Sequence, residues 1–186
     1  TSATKALGVG VDINDTDTLI FKGALEIRGL TVRNPAGYTH TNLIELDTGH
    51  ISVNFGSLFG DTVDIKKIRL DGLNLVIEQK GLSNNLLEVR NSISSRRSQK
   101  PQPPGKKLRI DELEITNIRA KVKLLPVPGR ADTVVLKLAP IKMRNLGTDS
   151  KVGTGLLASR IILAISDSIA GQASGVLPMD LVNTFK

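Results

Sequence analysis

The chain has 186 residues, 25 Lys and Arg against 18 Asp and Glu for a net charge of +7, and no cysteine. That length allows one large domain or two small ones around a sizeable apolar core, and the absence of thiols excludes disulfides, thiol catalysis and thiolate metal sites. With four Phe, one Tyr and no Trp, Leu, Ile and Val must fill the core; an aromatic stacking platform for nucleic acid is not in prospect, whereas a basic surface suits anionic partners.

In chain order, Val9, Val11 and Ile13 alternate as a short strand, and Asn14-Asp15-Thr16-Asp17 reads as a turn. A rhythm then appears that recurs four times. Leu25 and Ile27 are followed, after a step of three, by Leu30 and Val32; Ile68 and Leu70 by Leu73, Leu75 and Ile77; Leu113 and Ile115 by Ile118, Ala120 and Val122; Leu136 and Leu138 by Ile141 and Met143. Period two puts side chains on one face of a strand, and a step of three would flip that face unless a bulge absorbs the extra residue. The steps fall at Arg28-Gly29, Asp71-Gly72, Thr116-Asn117 and Ala139-Pro140, residues suited to a kink. Between them, Asn34-Pro35-Ala36-Gly37-Tyr38 is a turn, and Leu43 to Leu46 and Ile51 to Phe55 form a strand pair joined across Thr48-Gly49.

Asn85 opens a helix, with Glu88 at capping-box spacing and Leu86, Val89 or Arg90, and Ile93 on one side; it ends near Ser95. Residues 94–107 read as an exposed, basic, Pro-rich linker. Arg96, Arg97, Lys100, Lys106 and Lys107 in it are candidate contacts to an anionic surface, each able to contribute about 1 kcal/mol near charged headgroups. Leu108 to Leu125 and Thr133 to Arg144 make a long hairpin through Pro126-Val127-Pro128-Gly129. Over 155–176 the period becomes helical, with Ala158, Ile161, Ile162, Ile165, Ile169, Ala173 and Val176 on one face; Pro178 ends the helix, and Asp180 caps a last turn to Phe185.

The pattern predicts an α+β, mostly β, single domain over 1–186: a long antiparallel sheet, curved by bulged strands, with one short helix mid-chain and a C-terminal amphipathic helix packed on the concave face. Its parts are a β meander plus short helix over 1–93, the linker over 94–107, the hairpin over 108–146 and the C-terminal helix over 153–186. Ile161, Ile165 and Ile169 are expected to face the sheet or a ligand.

Catalytic signals are weak. Gly153-Thr154-Gly155 followed by Ala158 has the G-x-G-x-x-A spacing of a dinucleotide fingerprint, but a loop rather than a parallel strand precedes it. Asp12, Asn14, Asp15 and Asp17 lack the glycine and distal Glu of a calcium loop. His40 and His50 are the only histidines and have no carboxylate at ligand spacing, and no G-x-S-x-G is present. No catalytic residue, metal ligand or cofactor is assigned, nor a nucleic-acid partner.

The segments Leu25-Glu-Ile-Arg-Gly-Leu-Thr-Val-Arg-Asn-Pro-Ala-Gly-Tyr38, Val53-Asn-Phe-Gly-Ser-Leu58, Val63-Asp-Ile-Lys-Lys-Ile-Arg-Leu-Asp-Gly-Leu73 and Asn84-Asn-Leu-Leu87 resemble the AsmA-like family of cell-envelope proteins. So does the second half, with Leu108-Arg-Ile-Asp-Glu-Leu-Glu-Ile-Thr-Asn117, a returning strand and an Ile/Leu-rich helix. Asn34-Pro35 after an alternating strand is also similar, at lower weight, to late-embryogenesis-abundant-type β-sandwiches. The AsmA-like resemblance implies a non-enzymatic periplasmic protein of bacterial origin, active in envelope lipid handling or as a scaffold, or else an accessory subunit of a membrane complex. The implied partners are acyl chains, a membrane surface or a membrane-complex protein. Members of the family generally begin with a membrane-spanning helix; no run of about 20 apolar residues occurs in this sequence, so the resemblance places an inner-membrane anchor upstream of Thr1.

Overall fold

The computed structural model describes residues 9–19, 23–99, 106–129, 131–147 and 153–186, with the backbone alone for 15–19 and 96–99. The fold is α+β and mostly β. Strands β1 (Val11–Leu19), β2 (Ala24–Arg33), β3 (Asn42–Val53), β4 (Thr62–Lys80), β5 (Ser83–Asn84), β6 (Lys107–Thr116), β7 (Ile118–Lys123), β8 (Thr133–Leu138) and β9 (Ile141–Leu146) form one sheet, accompanied by helices α1 (Asn85–Gln99), α2 (Thr154–Ala173) and α3 (Met179–Asn183). The sheet has six columns: β1, β2, β3 and β4 in sequence, then β6 with its continuation β7, then β9 with β8; the two-residue β5 pairs back onto the end of β4. At 19 residues β4 is the spine, roughly 60 Å long at 3.3 Å per residue.

The three-residue steps all meet on one line. Asn14 falls opposite Gly29, Gly29 opposite Asp47 and Asp47 opposite Gly72; Gly72 lies beside Asn117, and Asn117 opposite Ala139. Gly29, Gly72 and Asn117 have φ of 63°, 75° and 53°, the left-handed region that glycine enters freely and asparagine tolerates. A β-carbon on Gly29 would collide with the Asn14 side chain, and one on Gly72 with the Asp47 carboxylate. On the other side of Gly72, the Asp71 carboxylate accepts from Thr116 Oγ1 at 2.5 Å and Asn117 Nδ2 at 2.7 Å.

The kinks are therefore not bulges. A bulge leaves two residues facing one, but each column here takes its extra residue at the same level and the register is unchanged on either side. Register shifts occur elsewhere, at Val32/Arg33 and Ser52/Val53.

Other expectations are corrected by the same geometry. Asn14 to Asp17 is the middle of β1, where Asn14 fills the space above Gly29, and not a turn. Thr48-Gly49 is internal to β3, which is one strand. The sheet is mixed rather than antiparallel throughout, since β4 runs parallel to both β6 and β7. Parallel neighbours need a crossover, usually helical, and α1, which lies between β4 and β6 in the chain, is the helix of that crossover. That helix extends to Gln99, four residues past its expected end near Ser95 and six into the expected linker. Its cap is Asn84, whose Oδ1 accepts from Leu87 N at 2.9 Å, and not a box closed by Glu88.

One hydrophobic core joins the inner face of the sheet to Leu86, Val89 and Ile93 of α1, Ile162, Ile165 and Ile169 of α2, and Leu181, Val182 and Phe185 at the C-terminus. Helix α2 lies against α1, β8 and β9. With its amide oriented to satisfy both partners, Gln172 donates to the Lys137 carbonyl at 2.7 Å and accepts from Ala139 N–H at 2.9 Å, so the helix docks where β8 gives way to β9. Val176, expected on the apolar face, lies beyond the helix end and is exposed, because the chain turns at Gly175 with φ of 82°.

Gly72→Ala should destabilise the protein by about 2–4 kcal/mol, left-handed strain and the Asp47 clash acting together, whereas Gly171→Ala, with open space around it, should stabilise by roughly 0.5–1 kcal/mol as a helix substitution. Urea unfolding of the two variants checks the opposite signs. Ile165→Asp, at a position 1 % exposed, should cost more than about 4 kcal/mol; a loss near zero would place α2 off the core.

Candidate functional site

The inner face is covered unevenly. On one side of the kink line, the row Val11, Val32, Ile44, Leu75, Ala120 and Leu136 is buried from edge to edge. On the other side two rows run Leu25, Ile51, Ile68, Leu113, Met143 and Ile27, Gly49, Leu70, Ile115, Ile141. Leu113 and Ile115 at their centre are fully buried. Toward β2 the cover thins: Leu70, Ile51, Ile27 and Leu25 are half-buried, and Leu25 and Ile27 do not join the core cluster. The absence of a side chain at Gly49 brings the neighbouring Leu70 and Ile27 side chains close over the strand. Helix α2 is thin in the same way, since no residue before Ile162 is buried, while Leu157 and Ile161 touch the core at its margin. The result is an apolar shelf along β2 and β3.

The predicted helix positions divide accordingly. Ile165 and Ile169, 1 % and 0 % exposed, are core residues, whereas Ile161 is half-buried at the margin. Sequence inspection found no apolar run long enough to span a membrane, yet the 20 residues of α2 suffice by length and composition, with 22 % of the most apolar stretch buried. Of the basic linker positions, the side chains of Arg96 and Arg97 and the whole of Lys100 lie outside the described residues. Lys106 Nζ donates to the Leu58 carbonyl, and Lys107 belongs to β6, its N–H donating to the Asp61 carbonyl at 3.0 Å. Those two are thus tied to the β3–β4 connection.

Polar side chains converge at the other end of β4, which the sequence did not reveal. Glu78 is buried, and it accepts from Thr39 N (3.0 Å), Thr39 Oγ1 (2.6 Å) and His40 N (2.7 Å), with His40 Nδ1 at 2.9 Å. Burial opposes its ionisation, but these donors together outweigh that and hold the carboxyl down at about 2. Tyr38 donates to Glu88 at 2.6 Å; its burial, then that hydrogen bond and the nearby carboxylates, push the phenol well above its ordinary value. Asn85, fully buried, uses its whole amide: Oδ1 accepts from Glu78 N and Leu86 N, and Nδ2 donates to Val76 O and Asn34 Oδ1. Asn84 Nδ2 donates to Thr184 Oγ1 at 2.7 Å, tying in the C-terminus. The fold thus supplies His40 with a carboxylate 38 residues away, and sets His50 Nδ1 3.7 Å from Glu26. Glu78 is committed to clamping the β2–β3 loop onto the start of α1. The Asn-Pro and Asn-Asn pairs were the visible signals of this clamp, though not of its partner.

Among the described residues no three His, Asp or Glu converge as metal ligands. The outer face below the kink line is a charge ladder in which Lys67 meets Glu112 at 2.8 Å, Arg109 meets Asp64 at 2.7 Å, and Glu114 gathers Lys142 at 3.0 Å and Arg69 at 3.5 Å. The hydrogen bonds from Lys67 and Lys142 lower the carboxyls of Glu112 and Glu114 respectively. No protein-family model matches this chain, and no curated protein matches it.

Because the Glu78 carboxyl titrates lower in the folded protein than in the unfolded chain, its contribution is present above the unfolded value near 4.5 and is lost as pH falls from there toward 2. Its size is on the order of 3 kcal/mol. Glu78→Gln should lower stability at pH 7 and flatten the acid limb of a stability-against-pH curve measured by urea unfolding. An unchanged acid limb would remove Glu78 from the clamp.

Proposed function

We propose that the protein is a non-enzymatic, membrane-associated domain of the bacterial periplasm that handles envelope lipid, as the resemblance to the AsmA-like family implies. The observation that carries this proposal is the shelf of Leu25, Ile27, Ile51 and Leu70, an aliphatic strip continuous with the core that the helices leave half-covered. An acyl chain laid along such a strip gains about 0.8 kcal/mol for each methylene withdrawn from water. The length and apolar composition of α2, with Leu163 exposed and Leu157 and Ile161 at the margin of the core, support a place at the membrane. A second role, as a scaffold or accessory subunit of a membrane complex with no ligand of its own, is favoured by the closed packing of the core, which Leu181, Phe185 and Ile165 share with the inner face of the sheet.

Organic-solvent extraction of the purified protein separates the two. Lipid handling predicts co-purified phospholipid that is lost from a Leu25→Ser, Ile27→Ser double variant with unaltered circular dichroism. Lipid-free wild-type protein would favour the scaffold.

A further inference from the structure

We infer that the β7–β8 end of the sheet is a docking surface for an anionic bilayer. The inference rests on the membrane association proposed above and assigns that association a place. On the outer face, β7 presents Arg119, Lys121 and Lys123 at alternate positions, and Arg119 stands directly opposite Lys137 of β8. Like charges in directly opposed positions destabilise a sheet. Below the kink line Lys67, Arg69, Arg109 and Lys142 each lie within 4 Å of a carboxylate. Above it, among the described residues, Arg119, Lys121 and Lys137 form no ion pair. The one carboxylate beside this stripe, Glu78 opposite Lys123, is turned to Thr39 and His40. Three exposed cations thus share a patch that lacks its counter-charge.

The stripe leads to an aliphatic tip. Beyond Lys123, Leu125 and Val127 are 42 % and 47 % exposed, and Leu82 in the neighbouring β4–β5 turn is 84 % exposed. The Gln79 amide ties the two loops together, donating to the Gly81 carbonyl at 3.2 Å and accepting from Leu125 N at 3.3 Å. Aliphatic side chains at a tip, with basic side chains set back on the strands behind them, match the section of a bilayer: hydrocarbon first, phosphate above it. An acidic protein surface would satisfy the cations but leave the leucines unexplained. The stripe was legible as alternating basic residues in Ile118-Arg-Ala-Lys-Val-Lys123; the opposing Lys137 was not.

The test is co-sedimentation of the whole chain with vesicles of phosphatidylglycerol and phosphatidylcholine, against vesicles of phosphatidylcholine alone. Wild-type protein should bind the anionic vesicles selectively and release them as salt rises. Arg119→Gln with Lys137→Gln should weaken binding roughly tenfold or more, and Leu82→Ser with Leu125→Ser should weaken it independently. Lys67→Gln with Lys142→Gln, which removes two cations from the neutralised ladder, should bind far better than the stripe variant. The inference is overturned if wild-type protein fails to sediment, if it binds neutral vesicles equally, or if stripe and ladder variants weaken alike. Protein that fails to sediment yet carries co-purified phospholipid would sink this docking surface while leaving the shelf intact.

Discussion

The carboxylate of Asp47 occupies the space that a β-carbon on Gly72 would need, and the sheet is organised around contacts of that kind. A column that bends through a left-handed residue opens a gap, and the short polar side chain of the adjacent column fills it: Asn14 over Gly29, Asp47 over Gly72. Were only one strand to carry the extra residue, its apolar side chains would turn outward past the kink. Since all six columns carry it on one line, Leu, Ile and Val face the same core above and below it. The edge column meets the line with Ala139-Pro140, where a residue without an N–H does least harm.

Much of this was legible, and the reasons are particular. The steps at Gly29, Gly72, Asn117 and Pro140 are visible because apolar side chains on one face betray each phase change. The partners Asn14 and Asp47 were missed because a polar residue in a strand reads as a turn residue when its glycine lies in another strand. The parallel junction was missed because helix α1 was read as an end to the first half rather than as the crossover between β4 and β6. The helix itself outran its expected end, since the polar Ser-Ser-Arg-Arg-Ser-Gln segment resembles a linker yet continues the turn begun at Asn85. The shelf could not be read from sequence at all: Leu25 and Leu113 occupy equivalent alternating positions, and the fold, not the pattern, leaves the first half-buried and the second buried.

The two halves of the sheet carry different loads. Above the kink line the apolar face is closed, and the Glu78–Asn85 clamp locks the β2–β3 loop, α1 and, through Asn84 and Thr184, the C-terminus into one unit. Its carboxylates and amides are satisfied locally, which is how buried polar groups become stabilising instead of costly. Below the line the polar face is neutralised by its own ladder while the apolar face is left part-covered. Uncompensated charge thus sits above the line on the outside, and uncompensated apolar surface sits below it on the inside.

The central claim is that the columns are locked in register by side chains of one strand seated on glycines of the next. A double-mutant cycle between Asp47→Gly and Gly72→Ala, read by urea unfolding, tests it most directly. The account predicts a coupling of about 1–2 kcal/mol, the alanine being better tolerated once the carboxylate above it is gone. Effects that add within about 0.5 kcal/mol would mean that Asp47 does not sit on Gly72, and the aligned kink would lose its physical basis.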